Sequence, residues 1–136
     1  MVVNSPNNPS GVVYSRRPSR PWRPAPPEGA EYGHPIYLIS DEPYREIVFA
    51  GFSAPWLPDF YDDTLVCYSY SKSLSLPGER IGYICVPDGA ADSGELYAAV
   101  AGAARAGGHV CAPSLWQKVI ARCAGLRPDL AAYEKN

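Results

Sequence analysis

The sequence predicts an α/β protein: part of a mostly parallel sheet flanked by helices. Three observations lead there. The stretches "PIYLIS", "TLVCYSY" and "RIGYICV" are apolar almost throughout rather than alternating, the pattern of strands covered on both faces. Two later segments carry helix start and stop signals. The polar residues that follow the first three strand-like runs fall at the carboxyl ends of those runs, where open α/β sheets bind their ligands.

The elements follow in order. "VVN" reads as a short strand ended by "SPNNPSG", whose Pro, Asn and Gly supply turn geometry. "PIYLIS", "TLVCYSY" and "RIGYICV" are β-branched and aromatic runs bounded by turn residues, which suits strands better than helices of that length. "DSGELYAAVAGAARAG" opens with Asp92 or Ser93 as a cap, holds Glu95 in its first turn and stops at Gly107 and Gly108. "PSLWQKVIARCAG" starts at Pro113 and Ser114, puts Leu115, Val119, Ile120 and Cys123 on one face and stops at Gly125. "RPDLAAYEKN" begins a third helix.

One stretch departs from this pattern. A crossover between parallel strands is expected to be helical. Residues 16 to 27 hold four arginines and five prolines, and a helix-interior proline costs about 3 kcal/mol. An Arg/Pro/Ala-rich run of this kind is what a GC-rich gene yields when read in a shifted frame, and a one-base shift of a permissible codon set gives a helix-like segment. Residues 16–30 are therefore expected to be an anomalous crossover, with compensating frameshifts near residues 16 and 29.

The bulk composition narrows the function. The 136 residues suffice for one domain with a core, or for part of something larger. With 46% hydrophobic and 19% charged residues and a net charge of -2, the chain lacks the basic excess that phosphate-backbone binding needs, so no nucleic-acid partner is expected. No run approaches a membrane span and the N-terminus has no leader pattern, so a soluble, cytoplasmic protein is expected, with no membrane partner. Cys67, Cys85, Cys111 and Cys123 include no C-x-x-C pair, and His34 and His109 are the only histidines; structural thiols are expected and no metal site.

"SYSKSLSLPGERIGY" raises the chemical possibility. A lysine amine that attacks a carbonyl needs an accessible place near another cation or out of water, and Lys72, with Arg80 a loop away, fits that need. Ser69, Ser71 and Arg80 offer hydroxyls and a fork-shaped cation suited to a phosphate monoester. Asp41 could pair with a pyridinium nitrogen, and Tyr44 and Asn8 could bond a phenolic oxygen, which together are the needs of pyridoxal phosphate. Plainer roles stand beside each of these: Asn8 as a turn residue, Asp41 as a turn cap, Tyr44 as a core aromatic, Ser69 and Ser71 as loop residues, Arg80 as an ion-pair partner and Lys72 as a solvated charge. Glu42, Arg45 and Glu46 are read as solvated or structural charges.

Three motifs occur in a familiar order. "NSPNNPSG", "ISDEPYREIVF" and "SYSKSLSLPGERIGY" resemble the P-N-N-P-[ST]-G turn, the D-x-x-Y element and the S-x-S-K…R-x-G element of the fold-type I, class I/II pyridoxal-phosphate-dependent aminotransferases, the aspartate aminotransferase relatives. "VCAPSLWQ" resembles a later segment of the same family. The likeness covers nearly the whole chain outside residues 16–30. It implies that residues 1–136 are a partial cofactor-binding large domain, with the N-terminal part and the C-terminal small domain absent. It also implies that Lys72 is the Schiff-base lysine and proton shuttle, that Asp41 pairs with the ring nitrogen, and that Tyr44 and Asn8 hold the phenolic oxygen. Ser69, Ser71 and Arg80 then bind the phosphate. The implied activity is transamination between an L-amino acid and a 2-oxo acid in an intact enzyme that is a homodimer. Another pyridoxal-phosphate reaction of the same fold, such as that of a C–S β-lyase or a decarboxylase, and an inactive truncated or frame-shifted fragment are the alternatives.

Overall fold

The computed structural model describes residues 1–14, 32–49, 52–125 and 129. The crossover at 16–30, with its shifted-frame reading, and the third helix proposed from residue 127 lie outside the described residues, apart from Asp129. Four strands form one sheet in the order β1 (Val2–Asn4), β2 (Leu38–Asp41), β3 (Thr64–Ser69) and β4 (Gly82–Cys85). The first three are parallel and β4 runs antiparallel to β3. The mostly parallel sheet is the one expected, with a single reversed edge strand.

The register decides where the polar residues meet. Asn4 pairs with Asp41, and Asp41 pairs with Cys67, so the last residues of β1 and β2 stand in one row across the sheet. The backbone N–H of Glu42 donates to Cys67 O at 2.9 Å, which extends the β2–β3 ladder one step past the strand. Ser69 closes β3 opposite Gly82 of β4. That pairing is close: a Cβ on Gly82 would stand 2.3 Å from Tyr68 O, so only glycine fits there.

The core lies along β2 and β3. Leu38, Val66 and Thr64 are almost wholly buried, joined by Leu65, Tyr68 and Leu57. Thr64 meets its burial by donating its hydroxyl to Tyr61 O at 2.6 Å, and Tyr61 in turn donates to Ile36 O at 2.7 Å. The expectation that every strand is covered on both faces needs correction at the margins. Ile39 points out of β2 with 37% of its surface exposed, and Tyr83 and Ile84 of β4 are about half exposed. For Tyr83 and Ile84 the physical reason is position, since β4 is the edge of the sheet among the described residues; Ile39 lies in an inner strand and shows that one face of β2 is only partly covered by the described residues.

Among the described residues three α-helical segments accompany the sheet: the single-turn α1 (Tyr70–Ser73), α2 (Ser93–Ala106) and α3 (Ser114–Cys123). Helix α2 begins after Asp92 and ends at Gly107, as its start and stop signals require, although Asp92 sits at φ 53° and makes no side-chain cap. Helix α3 begins after Pro113 and breaks before Gly125, whose φ of +93° suits glycine. No residue of α2 or α3 is buried. A cavity of about 430 Å³ separates α3 from the sheet, lined by Tyr68, Tyr70, Ser73, Ile120 and Cys123 among others. All four cysteines are free thiols.

Candidate active site

The asparagine turn is built by its own side chains. Asn7 Oδ1 accepts from Ser10 Oγ (2.6 Å) and from the Ser10 backbone N–H (3.2 Å), and Gly11 donates its N–H to Asn7 O (2.9 Å). This folds residues 5–11 back over the carboxyl end of β1. There Asn4 Nδ2 donates to Asp41 Oδ2 at 3.1 Å and to Asp41 O at 3.0 Å. Asn4 Oδ1 accepts from Asn7 Nδ2 (3.0 Å) and from the backbone N–H of Asn8 (3.1 Å). Asn8 Nδ2 then donates to the hydroxyl of Tyr44 at 3.0 Å. Asp41, Asn4, Asn8 and Tyr44 thus form one continuous hydrogen-bonded series.

Tyr44 is fixed from below by a charged staple. Glu42 is almost fully buried, yet Ser40 Oγ donates to its Oε1 (2.6 Å) and Arg45 Nε donates to its Oε2 (2.6 Å). Arg45 also donates to Ala54 O and Pro55 O, and its guanidinium lies 5.1 Å from the centre of the Trp56 ring. Arg45 therefore ties Ala54, Pro55 and Trp56 to the end of β2. Glu42 and Arg45 are the structural pair that the sequence allows, though one partner is far from solvated.

The lysine element has a capped start. Ser69 Oγ accepts from the N–H of Ser71 at 3.2 Å and donates to Ser71 Oγ at 2.8 Å, which caps α1 and draws both hydroxyls together. Lys72 lies in that single helical turn rather than in an open loop. Its Nζ stands 5.8 Å from the centre of the Tyr44 ring. Ser73, the next residue, is held at 2.7 Å by the hydroxyl of Tyr68, which also donates to Glu46 Oε2 at 2.8 Å. Burial pushes the Tyr68 hydroxyl well above the usual tyrosine range; the bond with Ser73 opposes that shift and the Glu46 carboxylate adds to it. Tyr68 further packs on Tyr70 and Tyr83, with ring centres 5.1 Å and 5.2 Å away.

Arg80 is placed by the β3–β4 pairing, two residues before the Gly82 that opposes Ser69, with Tyr70 N–H bonded to Ile81 O at 3.2 Å. It adopts φ 53°, ψ 48°, a left-handed conformation unusual for a residue with a Cβ, and its Nη1 donates to Pro77 O at 2.9 Å. Asn8 is bonded to Tyr44, whose ring Lys72 overlies, Asp41 joins them through Asn4, and Ser69 is bonded to Ser71. The register brings Arg80 to the same end of β3 without a bond from its side chain to either serine. Asn4 was not among the expected residues. Its signal was positional, since it closes its strand beside the aspartate that closes the next.

The parallel-dominated sheet with polar groups at its carboxyl edge has the fold of the fold-type I aminotransferases. The family model for aminotransferase class I and II matches residues 1–132, and the chain belongs to that family. An amino transferase from Eubacterium rectale superposes with a TM-score of 0.86 at 54% identity, over 98% of this chain and 34% of that one. A Thermus thermophilus aspartate aminotransferase variant complexed with tryptophan gives a TM-score of 0.66 at 26% identity, over 98% of this chain and 32% of that one. A probable aspartate/prephenate aminotransferase of Thermus aquaticus is 38% identical over 91 residues, which are 64% of this chain and 21% of that protein. The chain spans about a fifth of the length of the curated relatives it matches.

Proposed function

We propose that the chain is the central part of the cofactor-binding domain of a pyridoxal-phosphate-dependent aminotransferase, which exchanges an amino group between an L-amino acid and a 2-oxo acid. The observation that carries this reading is the series Asp41–Asn4–Asn8–Tyr44 with the Lys72 ammonium above the Tyr44 ring. The donor set fits the cofactor. A carboxylate, an amide–phenol pair and a primary amine share the carboxyl end of the parallel strands, with the hydroxyl of Ser69 at the end of β3, that of Ser71 in α1 and the guanidinium of Arg80 just before β4.

Pyridoxal phosphate supplies an electron sink for the pair released when the substrate Cα loses its proton. Each residue has a share in that chemistry. Asp41 would pair with the ring nitrogen, Asn8 and Tyr44 would bond the ring's phenolic oxygen, and Ser69, Ser71 and Arg80 would hold the phosphate. Lys72 would hold the cofactor through its carbonyl carbon and serve as the base that takes and returns the substrate Cα proton. Tyr44 sits within reach of Lys72, so one phenol both bonds the ring oxygen and faces the working amine. The rest of the enzyme supplies the grip on the substrate carboxylate, and by its likeness to the family the intact protein is a cytoplasmic homodimer.

Titration with pyridoxal phosphate tests this. Visible absorbance should develop with the chain and vanish in Lys72→Ala. No Lys72-dependent absorbance would remove the reading in favour of an inert fragment. For the intact enzyme, an oxo acid with the amino group passed to an acceptor is expected, and free ammonia would point instead to a lyase.

A further inference from the structure

We propose that Asn4 is the positioning residue that aims Asp41 at the cofactor's ring nitrogen, an inference that rests on the aminotransferase reading above. A carboxamide has two N–H donors and two acceptor positions. In Asn4 all four are engaged: the donors by Asp41 O and Asp41 Oδ2, the acceptors by Asn7 Nδ2 and the Asn8 backbone N–H. The orientation of the amide follows from its partners. A backbone N–H only donates, so Oδ1 must face Asn8, and an ionised carboxylate only accepts, so Nδ2 must face Asp41. A flipped amide would set oxygen against oxygen.

Full engagement decides the role. Asn4 has no capacity left for a ligand, so it acts through its neighbours. By fixing Asp41 Oδ2 it leaves the carboxylate a single direction, and with the other hand of the same amide it fixes the backbone of Asn8, whose side chain bonds Tyr44. The groups for the ring nitrogen and for the ring oxygen are thereby held at a set separation by one side chain. Few replacements can do this. Aspartate lacks both donors, leucine lacks all four bonds, and glutamine places the amide one methylene too far along.

The test compares two ligands on the full chain: pyridoxal phosphate and its analogue with carbon in place of the ring nitrogen. Visible absorbance that depends on Lys72 establishes the underlying reading in the unsubstituted chain. Asn4→Leu should then weaken pyridoxal phosphate about tenfold, the scale of a lost charge-assisted hydrogen bond, while the nitrogen-free analogue loses much less. The preference of the chain for the nitrogen-containing ligand should fall toward that of Asp41→Ala. Asn4→Ala, which adds no bulk, replaces Asn4→Leu if circular dichroism shows the latter unfolded. Equal weakening of both ligands would overturn the positioning role and leave Asn4 as part of the turn alone. Absence of Lys72-dependent absorbance in the unsubstituted chain would instead overturn the aminotransferase reading, and this inference with it.

Discussion

Asn8 Nδ2 donates to the Tyr44 hydroxyl at 3.0 Å, across 36 residues of sequence, and the other face of that contact is the Lys72 amine 5.8 Å from the Tyr44 ring centre. The phenol's two parts do different things. Tyr44→Phe keeps the ring beside the amine and removes the hydroxyl, so cofactor affinity should fall about three- to tenfold with no loss of thermal stability. Tyr44→Leu removes the ring as well and should fall further. Absorbance titrations of the two variants measure the split.

Gly82→Ala should be among the costlier single substitutions. The added Cβ would meet Tyr68 O at 2.3 Å and Ser69 Cα at 3.2 Å, both backbone atoms with no rotamer to yield. Separation of β3 from β4 is expected, with about 1–3 kcal/mol lost in urea unfolding. Ser69 moves with β3, so phosphate affinity should fall in the same variant.

The Glu42–Arg45 pair sets up an asymmetric result. Arg45→Met leaves the Glu42 carboxylate buried with only Ser40 to bond it, and about 3 kcal/mol should be lost. Adding Glu42→Gln to that variant should recover part of the loss, because an unpaired amide costs less than an unpaired charge. Chemical denaturation of the single and double variants gives the comparison.

Alkaline pH should weaken the fold. Burial pushes up the Cys67 thiol, helped by the Asp41 and Glu42 charges, and it pushes up the Tyr68 hydroxyl. For both groups the folded state holds the proton more tightly than the unfolded state. Their contribution is whole below the ordinary values of 9.0 and 10.0, and it is lost as pH rises through the raised folded values. Denaturation midpoints should therefore drop above about pH 10, and Tyr68→Phe should flatten that drop while lowering stability at neutral pH by about 1 kcal/mol through the lost bonds to Ser73 and Glu46.

Arg80 combines a strained backbone with the proposed phosphate contact, and the two can be separated. A residue with a Cβ in the left-handed region costs about 1 kcal/mol against glycine. Arg80→Gly should raise the melting temperature slightly while reducing affinity for inorganic phosphate and for the cofactor, and Arg80→Ala should lose affinity with no gain in stability. A gain in binding by either variant would remove Arg80 from the phosphate site.

Much of this was legible in the strings themselves. The strand at 64–69 lies within its apolar run, the strand at 38–41 overruns its own by Asp41 alone, and the helices at 93–106 and 114–123 lie between their start and stop residues. Asn8 and Tyr44, each read as a bond to one ligand oxygen, stand within hydrogen-bond distance of one another, a contact that the motifs do not state. Three things were not legible. The exposure of Tyr83 and Ile84 depends on which strand is an edge, and an apolar run reads the same at the centre and at the margin. The burial of Glu42 depends on Ser40 and Arg45 meeting it in space, whereas sequence spacing shows only a charge in a turn. Asn4 depends on register: nothing local distinguishes it from a turn asparagine until β1 is laid beside β2.

That row of Asn4, Asp41 and Cys67 makes the proposed cofactor site a checksum on the pairing of the sheet. Side chains alternate faces along a strand, so a slip of one residue between β1 and β2 would turn Asn4 away from Asp41 and carry the asparagine turn off Tyr44. A mispaired sheet could still bury Leu38 and Val66 and look folded by its secondary structure alone. Only the native pairing assembles a site, so ligand affinity reads out the fidelity of strand assembly that bulk spectroscopy passes over.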